Sequence, residues 1–338
     1  MNQQKKLSRK EMRIDFEGKI SGFERFKQHV FSFSFLGKVF WMFLRYVLLI
    51  GISYIILYPF ITKITGSFMS PSDFADQTVK LIPKYPTLDQ YIYIIKENGY
   101  WDALFNTATV SILCGIIQTF ICAIVGYGFA KFKFKGRNIL FVAVILSLLI
   151  PHDTLLLSMY MKFRFFDIFG VFSFLTGESL NLLNTVWPLY ILSITGLAFK
   201  NGLYIFIFRQ FYKGVPDELE EAAYIDGKGV FGTFFSIILP LSVPMMTTVF
   251  MFSFSWQWTD TFYTSSKFFT SSNAPLMLTN IVGKIPPTLS DAGGAVGSLW
   301  ESAITNTSGL LVILPLFIIF LFAQRSFVEG IERSGIVG

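Results

Sequence analysis

The sequence contains few charged residues, which argues against a water-soluble protein. Charged residues make up 15% of the 338-residue chain, whereas soluble domains have about 25%. Hydrophobic residues reach 53%, and 40 of the residues are phenylalanine. So many apolar side chains exceed what one soluble core can bury, but they are well suited to contact with lipid. We therefore expect an integral membrane protein.

Histidine, cysteine and phosphate-binding motifs are equally scarce. His29 and His152 are the only histidines and are far apart, so neither a metal site nor a Ser-His-Asp arrangement is expected. We expect His152 and the adjacent Asp153 to form a polar patch facing the helix bundle rather than a catalytic pair.

Cys114 and Cys122 lie two turns apart on one predicted helix, cannot bridge each other, and are expected to be small core residues. Because the sequence has no G-x-x-x-x-G-K-[ST] phosphate loop, this chain is not expected to bind ATP in the usual way. No catalytic residue, metal or cofactor is predicted.

Six apolar stretches are long enough to cross a bilayer as helices, since about 20 residues at 1.5 Å each cover its hydrocarbon core. The predicted fold class is an all-α integral membrane protein with six transmembrane helices. Prolines inside the third, fifth and sixth stretches predict bends, either as ordinary kinks or as part of a pathway lining. The six predicted spans are approximately 39–64, 103–130, 138–159, 183–211, 234–254 and 305–322.

The distribution of lysine and arginine predicts the orientation. Basic residues concentrate in the N-terminal tail, between spans two and three, between spans four and five, and in the C-terminal tail. Because cytoplasmic segments carry the excess of positive charge, both termini are predicted to be cytoplasmic in the cell membrane. These residues are expected to contact lipid headgroups, and no basic stripe with interleaved aromatics suggests nucleic acid. The predicted organisation is a tail (1–38) without a cleavable signal peptide, a first helix with a long extracellular loop (39–102), a core (103–323) and a C-terminal tail (324–338).

The predicted cytoplasmic loop between spans four and five, at 214–232, is unusually acidic. Its pattern predicts a short amphipathic helix, with Pro216 in the first turn and carboxylates complementing the positive end of the helix dipole. Leu219, Ala222 and Ala223 are three and four residues apart, which predicts one small apolar face. Gly227 should end the helix in the left-handed conformation.

This loop resembles the EAA motif of ABC importer permeases. The matching residues are Glu221-Ala222-Ala223, Gly227 after three further residues, and, nine residues later, Ile237-x-Leu239-Pro240. The fuller string, including Ile225-Asp226-Gly227 and Pro244, is similar to the carbohydrate branch typified by the smaller maltose permease subunit. The resemblance covers roughly residues 103–338, and three further stretches agree with it: Phe208–Phe211, Trp256–Asp260 and Ala323–Gly330.

The resemblance implies a type I ABC importer permease fold and a transport subunit without enzymatic activity. In that family the EAA helix is a cytoplasmic coupling helix, so the implied docking residues for an ATPase subunit are Glu221, Ala222, Ala223, Asp226 and Gly227. The implied partners are a second homologous permease, two ATP-binding subunits, an extracellular solute-binding protein and a carbohydrate. ATP-driven closure of the ATPases would then switch the permeases between outward- and inward-facing states.

Four residues are candidates for a translocation pathway: Lys200, Asn201, Trp256 and Trp258. Lys200 and Asn201 fall near the middle of the fourth predicted span, where a charge is costly unless it is paired or faces water. They either line a path, or mark a helix break at which Lys200 pairs with a carboxylate. Trp256 and Trp258 fall at the predicted outer boundary, either as interfacial anchors or as platforms that stack on sugar.

Two rival functions are open at this point. One is an ABC permease for a non-sugar solute such as an amino acid or polyamine, against which the Ile225-Asp226-Gly227 extension argues. The other is a secondary transporter or a membrane-embedded enzyme. A secondary transporter should show inverted repeats and intramembrane carboxylates, and an embedded enzyme should show clustered catalytic groups. Neither pattern is present in the sequence.

Overall fold

The computed structural model describes residues 33–264, 268–290 and 295–335. Within these ranges the chain is helical, with two isolated bridges, Met69 to Pro86 and Phe166 to Leu180, and no strand. Most of the predicted N-terminal tail lies outside the described residues. The helices are α1 (Phe33–Gly66), α2 (Pro71–Ala75), α3 (Asp89–Glu97), α4 (Tyr100–Lys131), α5 (Arg137–Ser147), α6 (His152–Arg164), α7 (Val171–Thr176), α8 (Trp187–Ile194), α9 (Asn201–Lys213), α10 (Glu218–Ile225), α11 (Val230–Thr233), a π-helical segment (Phe234–Ile238), α12 (Leu239–Leu241), α13 (Val243–Trp258), α14 (Leu278–Ile281), α15 (Pro287–Ser290) and α16 (Ala295–Gly335).

In the described part of the chain, three continuous helices are long and apolar enough to cross a membrane. They are Gly37–Gly66 within α1, the whole of α4, and Gly297–Arg325 within α16. These helices correspond to the first, second and sixth predicted spans. The helix α16 continues through Pro315 without a break.

The third and fifth predicted spans are each broken into two helices. Helices α5 and α6 meet at a 99° bend, and Pro151, which has no backbone N–H, is the N-cap of α6. The helical run Val230–Leu241 meets α13 at a 77° bend. Shortly before this bend, the π-helical segment ends at Ile238, and Pro240 follows it in α12. The bends expected from the prolines of these two spans are therefore present.

The fourth predicted span is not one helix, which corrects the single stretch expected from hydropathy. Helix α8 ends at Ile194, and α9 begins at Asn201 after a non-helical connection. Lys200 is therefore the N-cap of α9 rather than a residue in the middle of a helix. Length and composition support three spans among the described residues, or up to five if each bent pair is counted as one span.

The described chain divides into two compact units, residues up to Thr62 and residues from Lys63 onward. The first unit contains most of α1, whose membrane-spanning stretch exposes its apolar side chains. The second unit is built around α4, which packs against α8, α9 and α13.

Small residues let α4 and α9 approach closely. A Cβ added at Gly126 would lie 2.6 Å from Cβ of Phe208 and 3.1 Å from the backbone nitrogen of Arg209. Such close backbone contact through small residues is how membrane helices gain packing energy. Cys122 is fully buried in the same core, and Cys114 is fully buried in a neighbouring cluster, as the sequence predicted for both cysteines.

Candidate functional site

The acidic loop forms a short helix, α10, that spans Glu218–Ile225. Asp217 is its N-cap, so Pro216 precedes the helix instead of occupying its first turn. At the other end, Gly227 has φ +79°. Its N–H donates to the Tyr224 carbonyl oxygen (3.0 Å), and the Lys228 N–H donates to the Ala223 carbonyl oxygen (2.9 Å). These paired bonds form a Schellman motif, which confirms that Gly227 ends the helix in the left-handed conformation.

The two faces of α10 differ from the sequence prediction. Ala223 is 1% exposed and Glu220 is 8% exposed, whereas Ala222 is exposed and Leu219 is 40% exposed. The three residues expected to form one apolar face are therefore divided between the buried side and the outer side. The physical reason is that Glu220 is held against α4, and Ala223, three residues later, lies on the same side of the helix.

The outer surface of α10 carries small and apolar side chains beside acidic ones. Ile225 is 86% exposed and Tyr224 is 42% exposed. Glu221, Asp226 and Gly227 are also exposed. Of the five residues predicted to dock on an ATPase, only Ala223 is buried within this chain. The other four share the accessible surface of one short segment.

Lys131, the last residue of α4, contacts the N-terminal end of α10. Its Nζ donates to the Val215 carbonyl oxygen (2.7 Å), forms an ion pair with Asp217, and lies 3.4 Å from Glu220 Oε1. The Lys131 side chain is 7% exposed and that of Glu220 is 10% exposed, so their attraction is screened by water less than that of a surface pair. The hydrogen bond and charge of Lys131 lower the pKa of Asp217.

Sequence reasoning missed this role of Lys131, which was assigned only to membrane topology. Lys131 and Asp217 are 86 positions apart, and nothing local in either segment indicates the contact. The acidic residues of the loop therefore have an internal function: Asp217 and Glu220 hold α10 on α4, and Glu221 and Asp226 remain at the surface.

A second feature is a cavity of about 190 Å³ at the break between α8 and α9. Residues from α4, α6, α8, α9, α13 and the segments 198–200 and 259–263 line it. Two of the four predicted pathway residues meet there, because Lys200 Nζ lies 4.4 Å from the centre of the Trp256 ring.

The other two predicted pathway residues lie elsewhere. Asn201 is fully buried and is not among the cavity-lining residues. Trp258 is 2% exposed, and its Nε1–H donates to the Val312 carbonyl oxygen at 2.9 Å. Residues two apart on a helix point to different sides, so Trp256 faces the cavity while Trp258 packs in the core. Trp258 is therefore neither an interfacial anchor nor a sugar platform.

A buried hydrogen-bond network forms part of the cavity wall and was not expected from the sequence. Gln118 of α4 donates from Nε2 to Ser193 Oγ (3.0 Å), and Ser253 Oγ of α13 donates to Gln118 Oε1 (2.8 Å). The network joins α4, α8 and α13 at one point. Isolated polar residues in apolar helices were the available signal, but hydropathy does not show which of them meet.

His152 contributes to the same cavity. Its ring stacks on Phe199, with the ring centres 3.3 Å apart, and it lines the cavity together with Lys200. The expectation that His152 faces the bundle is therefore confirmed, whereas Asp153, predicted to share this patch, is exposed and is not among the cavity-lining residues. Within the described ranges, no group of three or more His, Cys, Asp or Glu residues could hold a metal ion.

Comparison with known proteins identifies the family. Residues 115–333 match the family described as "Binding-protein-dependent transport system inner membrane component". The chain belongs to this family. The matched region contains α10, Lys200 and Trp256, and it confirms the resemblance drawn from the sequence.

Individual relatives agree with this assignment. The chain is 28% identical over 303 residues to the "Arabinooligosaccharides transport system permease protein AraQ" of Halalkalibacterium halodurans, covering 87% of this chain and 97% of that protein. It is 30% identical over 299 residues to the "Galactooligosaccharides transport system permease protein GanQ" of Bacillus subtilis, covering 87% and 94%. In fold it is similar to a chain from the crystal structure of a bacterial ABC transporter involved in import of the acidic polysaccharide alginate. That similarity has a TM-score of 0.66 at 17% identity, over 86% of this chain and 98% of the other.

Proposed function

We propose that this permease is one membrane-spanning subunit of an ATP-driven importer for a sugar or oligosaccharide. It would cross the cell membrane six times, with both termini in the cytoplasm and the broken pair α8 and α9 as the fourth span. A second homologous permease would complete the pathway. Two separate ATP-binding subunits would supply energy, and an extracellular solute-binding protein would deliver the substrate.

One observation supports this proposal most directly: α10 has an accessible outer surface, and its inner side is attached to α4. Its outer surface exposes Leu219, Ala222 and Ile225, which lie outside any apolar span, and an exposed apolar patch favours a protein partner. Its inner side is fixed to α4 by Lys131. Motion applied to α10 by an ATPase would therefore be transmitted to a helix of the transmembrane core. This supports α10 as a coupling helix.

The carbohydrate class is supported by the relatives, whose names describe permeases for arabino- and galacto-oligosaccharides. The residues Ile225-Asp226-Gly227, which indicated the sugar branch, lie at the accessible end of α10. A non-sugar solute remains the alternative that an uptake measurement would reveal.

Association with the ATPase can be tested with two exposed isoleucines. Ile225 is 86% exposed on α10, and Ile82 is 82% exposed in the segment between α2 and α3. We expect Ile225→Ser to reduce co-purification of the ATP-binding subunit, identified by mass spectrometry, from membranes of the native host. Ile82→Ser, the matched control, should leave it unchanged, because that segment is predicted to be extracellular.

Uptake by the same cells tests the substrate class. A strain lacking this chain should lose uptake of labelled arabino- or galacto-oligosaccharide. The natural chain should restore uptake, and the Ile225→Ser variant should restore less. Equal co-purification of the ATP-binding subunit with Ile225→Ser and the natural chain would contradict the assignment of α10. Loss of labelled amino acid uptake in place of sugar uptake would contradict the carbohydrate class.

A further inference from the structure

The wall of the cavity beside Lys200 contains polar groups without partners. Gln257 and Tyr204 are among the lining residues of the cavity, and the Gln257 Nε2 atom and the Tyr204 hydroxyl are enclosed in the wall without a hydrogen-bond partner in the described chain. Among the described residues no carboxylate lies within 4 Å of Lys200 Nζ, so the expected pairing of Lys200 with a carboxylate is not present. Lys200 is half-buried and belongs to the cavity lining, so its ammonium is the polar group that a ligand in the cavity can reach.

Two side-chain acceptors of the cavity wall are already engaged. The Asp260 carboxylate accepts backbone N–H bonds from Phe262, Tyr263 and Thr264. Gln118 Oε1 accepts the Ser253 hydroxyl. The Lys200 ammonium can only donate hydrogen bonds. A cavity wall that presents a positive charge favours a ligand that accepts hydrogen bonds and carries negative charge.

The aromatic side chains add a second requirement. Trp256 is 55% exposed, so its indole keeps surface available beyond its contact with Lys200. Phe199 and Tyr263, which also belong to the lining, lie against each other with ring centres 4.6 Å apart. Flat apolar surfaces beside hydrogen-bond donors suit a sugar ring, which has apolar faces and a polar edge. A cavity of about 190 Å³ is slightly larger than one of about 150 Å³ that holds a benzene ring, so it matches one sugar residue better than an oligosaccharide.

From this arrangement, and resting on the proposed function, we propose that the cavity binds one carboxylate-bearing residue of an acidic saccharide. Lys200 Nζ pairs with the carboxylate, and Trp256 stacks on the ring. Lys200 thereby determines a preference for a uronate over the corresponding neutral sugar.

The contact of Lys200 with Trp256 does not by itself explain why a charged side chain lies at this cavity. A cation–π contact at a partly exposed site is a weak interaction, and a charged group beside an apolar region is stabilised further by a partner of opposite charge. A bound carboxylate would supply the missing charge partner. Because a hydrogen bond to a charged group is stronger than one to a neutral group, the preference for the acidic sugar should be about tenfold or more.

Equilibrium binding to the purified full-length chain in lipid nanodiscs tests the proposal without requiring transport. The probes are digalacturonate and its neutral counterpart galactobiose, followed by saturation-transfer NMR. We expect saturable binding with about tenfold preference for digalacturonate. Lys200→Met should remove the preference, Lys200→Arg should retain most of it, and Lys80→Met, at an exposed lysine, should change nothing.

The proposal is overturned if both disaccharides bind equally, if Lys200→Met keeps the preference, or if neither disaccharide binds. None of these results affects association of α10 with an ATP-binding subunit. Failure of the cavity assignment is therefore distinguishable from failure of the importer assignment.

Discussion

At the residue scale, the backbone conformation of Gly227 determines where α10 ends. The residue has φ +79° and nothing lies within 4 Å of the position that a Cβ would occupy. A substitution would therefore meet no steric clash with neighbours, only the strain that an L-amino acid experiences in the left-handed region. That strain is about 1–2 kcal/mol.

We predict that Gly227→Ala loosens the end of α10. The amides of residues 227 and 228, which make the two Schellman bonds, should exchange with deuterium roughly tenfold faster. Gly229→Ala is the matched control, since Gly229 has φ −77° and also has open space around it. Protection of these amides that is equal in both variants would contradict the role assigned to Gly227.

Local residue patterns predicted this part of the site well. A glycine that follows a short acidic run is sufficient to predict a helix end, because the geometry depends only on neighbouring residues. The separation of Trp256 from Trp258 could also be derived from helix periodicity. Which of the two tryptophans faces a cavity could not, because that depends on where α4, α9 and α16 pack.

At the scale of elements, the link between α4 and α10 is the contact on which coupling would depend. Lys131 Nζ joins the last turn of α4 to Val215, Asp217 and Glu220. The pKa of Asp217 is lowered in the folded chain. The stabilisation that the Lys131–Asp217 ion pair contributes is therefore present at neutral pH. It is lost only as pH falls through that lowered value.

We predict that Lys131→Met releases α10 from α4. The substitution leaves Glu220 nearly buried without a charge partner, which should cost about 2 kcal/mol and accelerate amide exchange across residues 218–225 roughly thirtyfold. Lys135→Met, at an exposed lysine in the loop after α4, should have little effect. The double variant Lys131→Met with Glu220→Gln should recover part of the protection, because the unpaired carboxylate is removed. Unchanged exchange in Lys131→Met would show that the ion pairs do not hold the helix.

Sequence patterns predicted which helices exist. They were less successful in predicting where a helix breaks and which helices contact each other. Continuous hydropathy identified α1, α4 and α16, and Pro151 marked the bend before α6. The break before α9 was weakly indicated by Lys200-Asn201-Gly202, since a charge and a glycine disfavour an apolar helix interior. The contact of Lys131 with α10 had no local signal, because it arises only when the end of α4 and the start of α10 meet in the folded chain.

At the scale of the whole molecule, the number of crossings depends on the broken pair α8 and α9. Neither helix is long enough to cross a bilayer alone, with 8 and 13 residues respectively. Together they could cross if the chain continues in one direction through the break at Lys200. In that case the loop at 132–136 and the acidic loop lie on one side of the membrane, and the segment around α7 lies on the other.

Single cysteines placed on either side of this pair would decide the topology. The two natural cysteines are fully buried, so the unmodified chain should react little with a membrane-impermeant maleimide. We predict that Glu178→Cys, at an exposed position between α7 and α8, is labelled in intact cells. Lys133→Cys and Lys228→Cys, also at exposed positions, should be labelled only after the membrane is permeabilised. Labelling of Lys228→Cys together with Glu178→Cys in intact cells would mean that α8 and α9 turn back without crossing. The acidic helix α10 would then face outward, where no nucleotide-driven subunit could reach it.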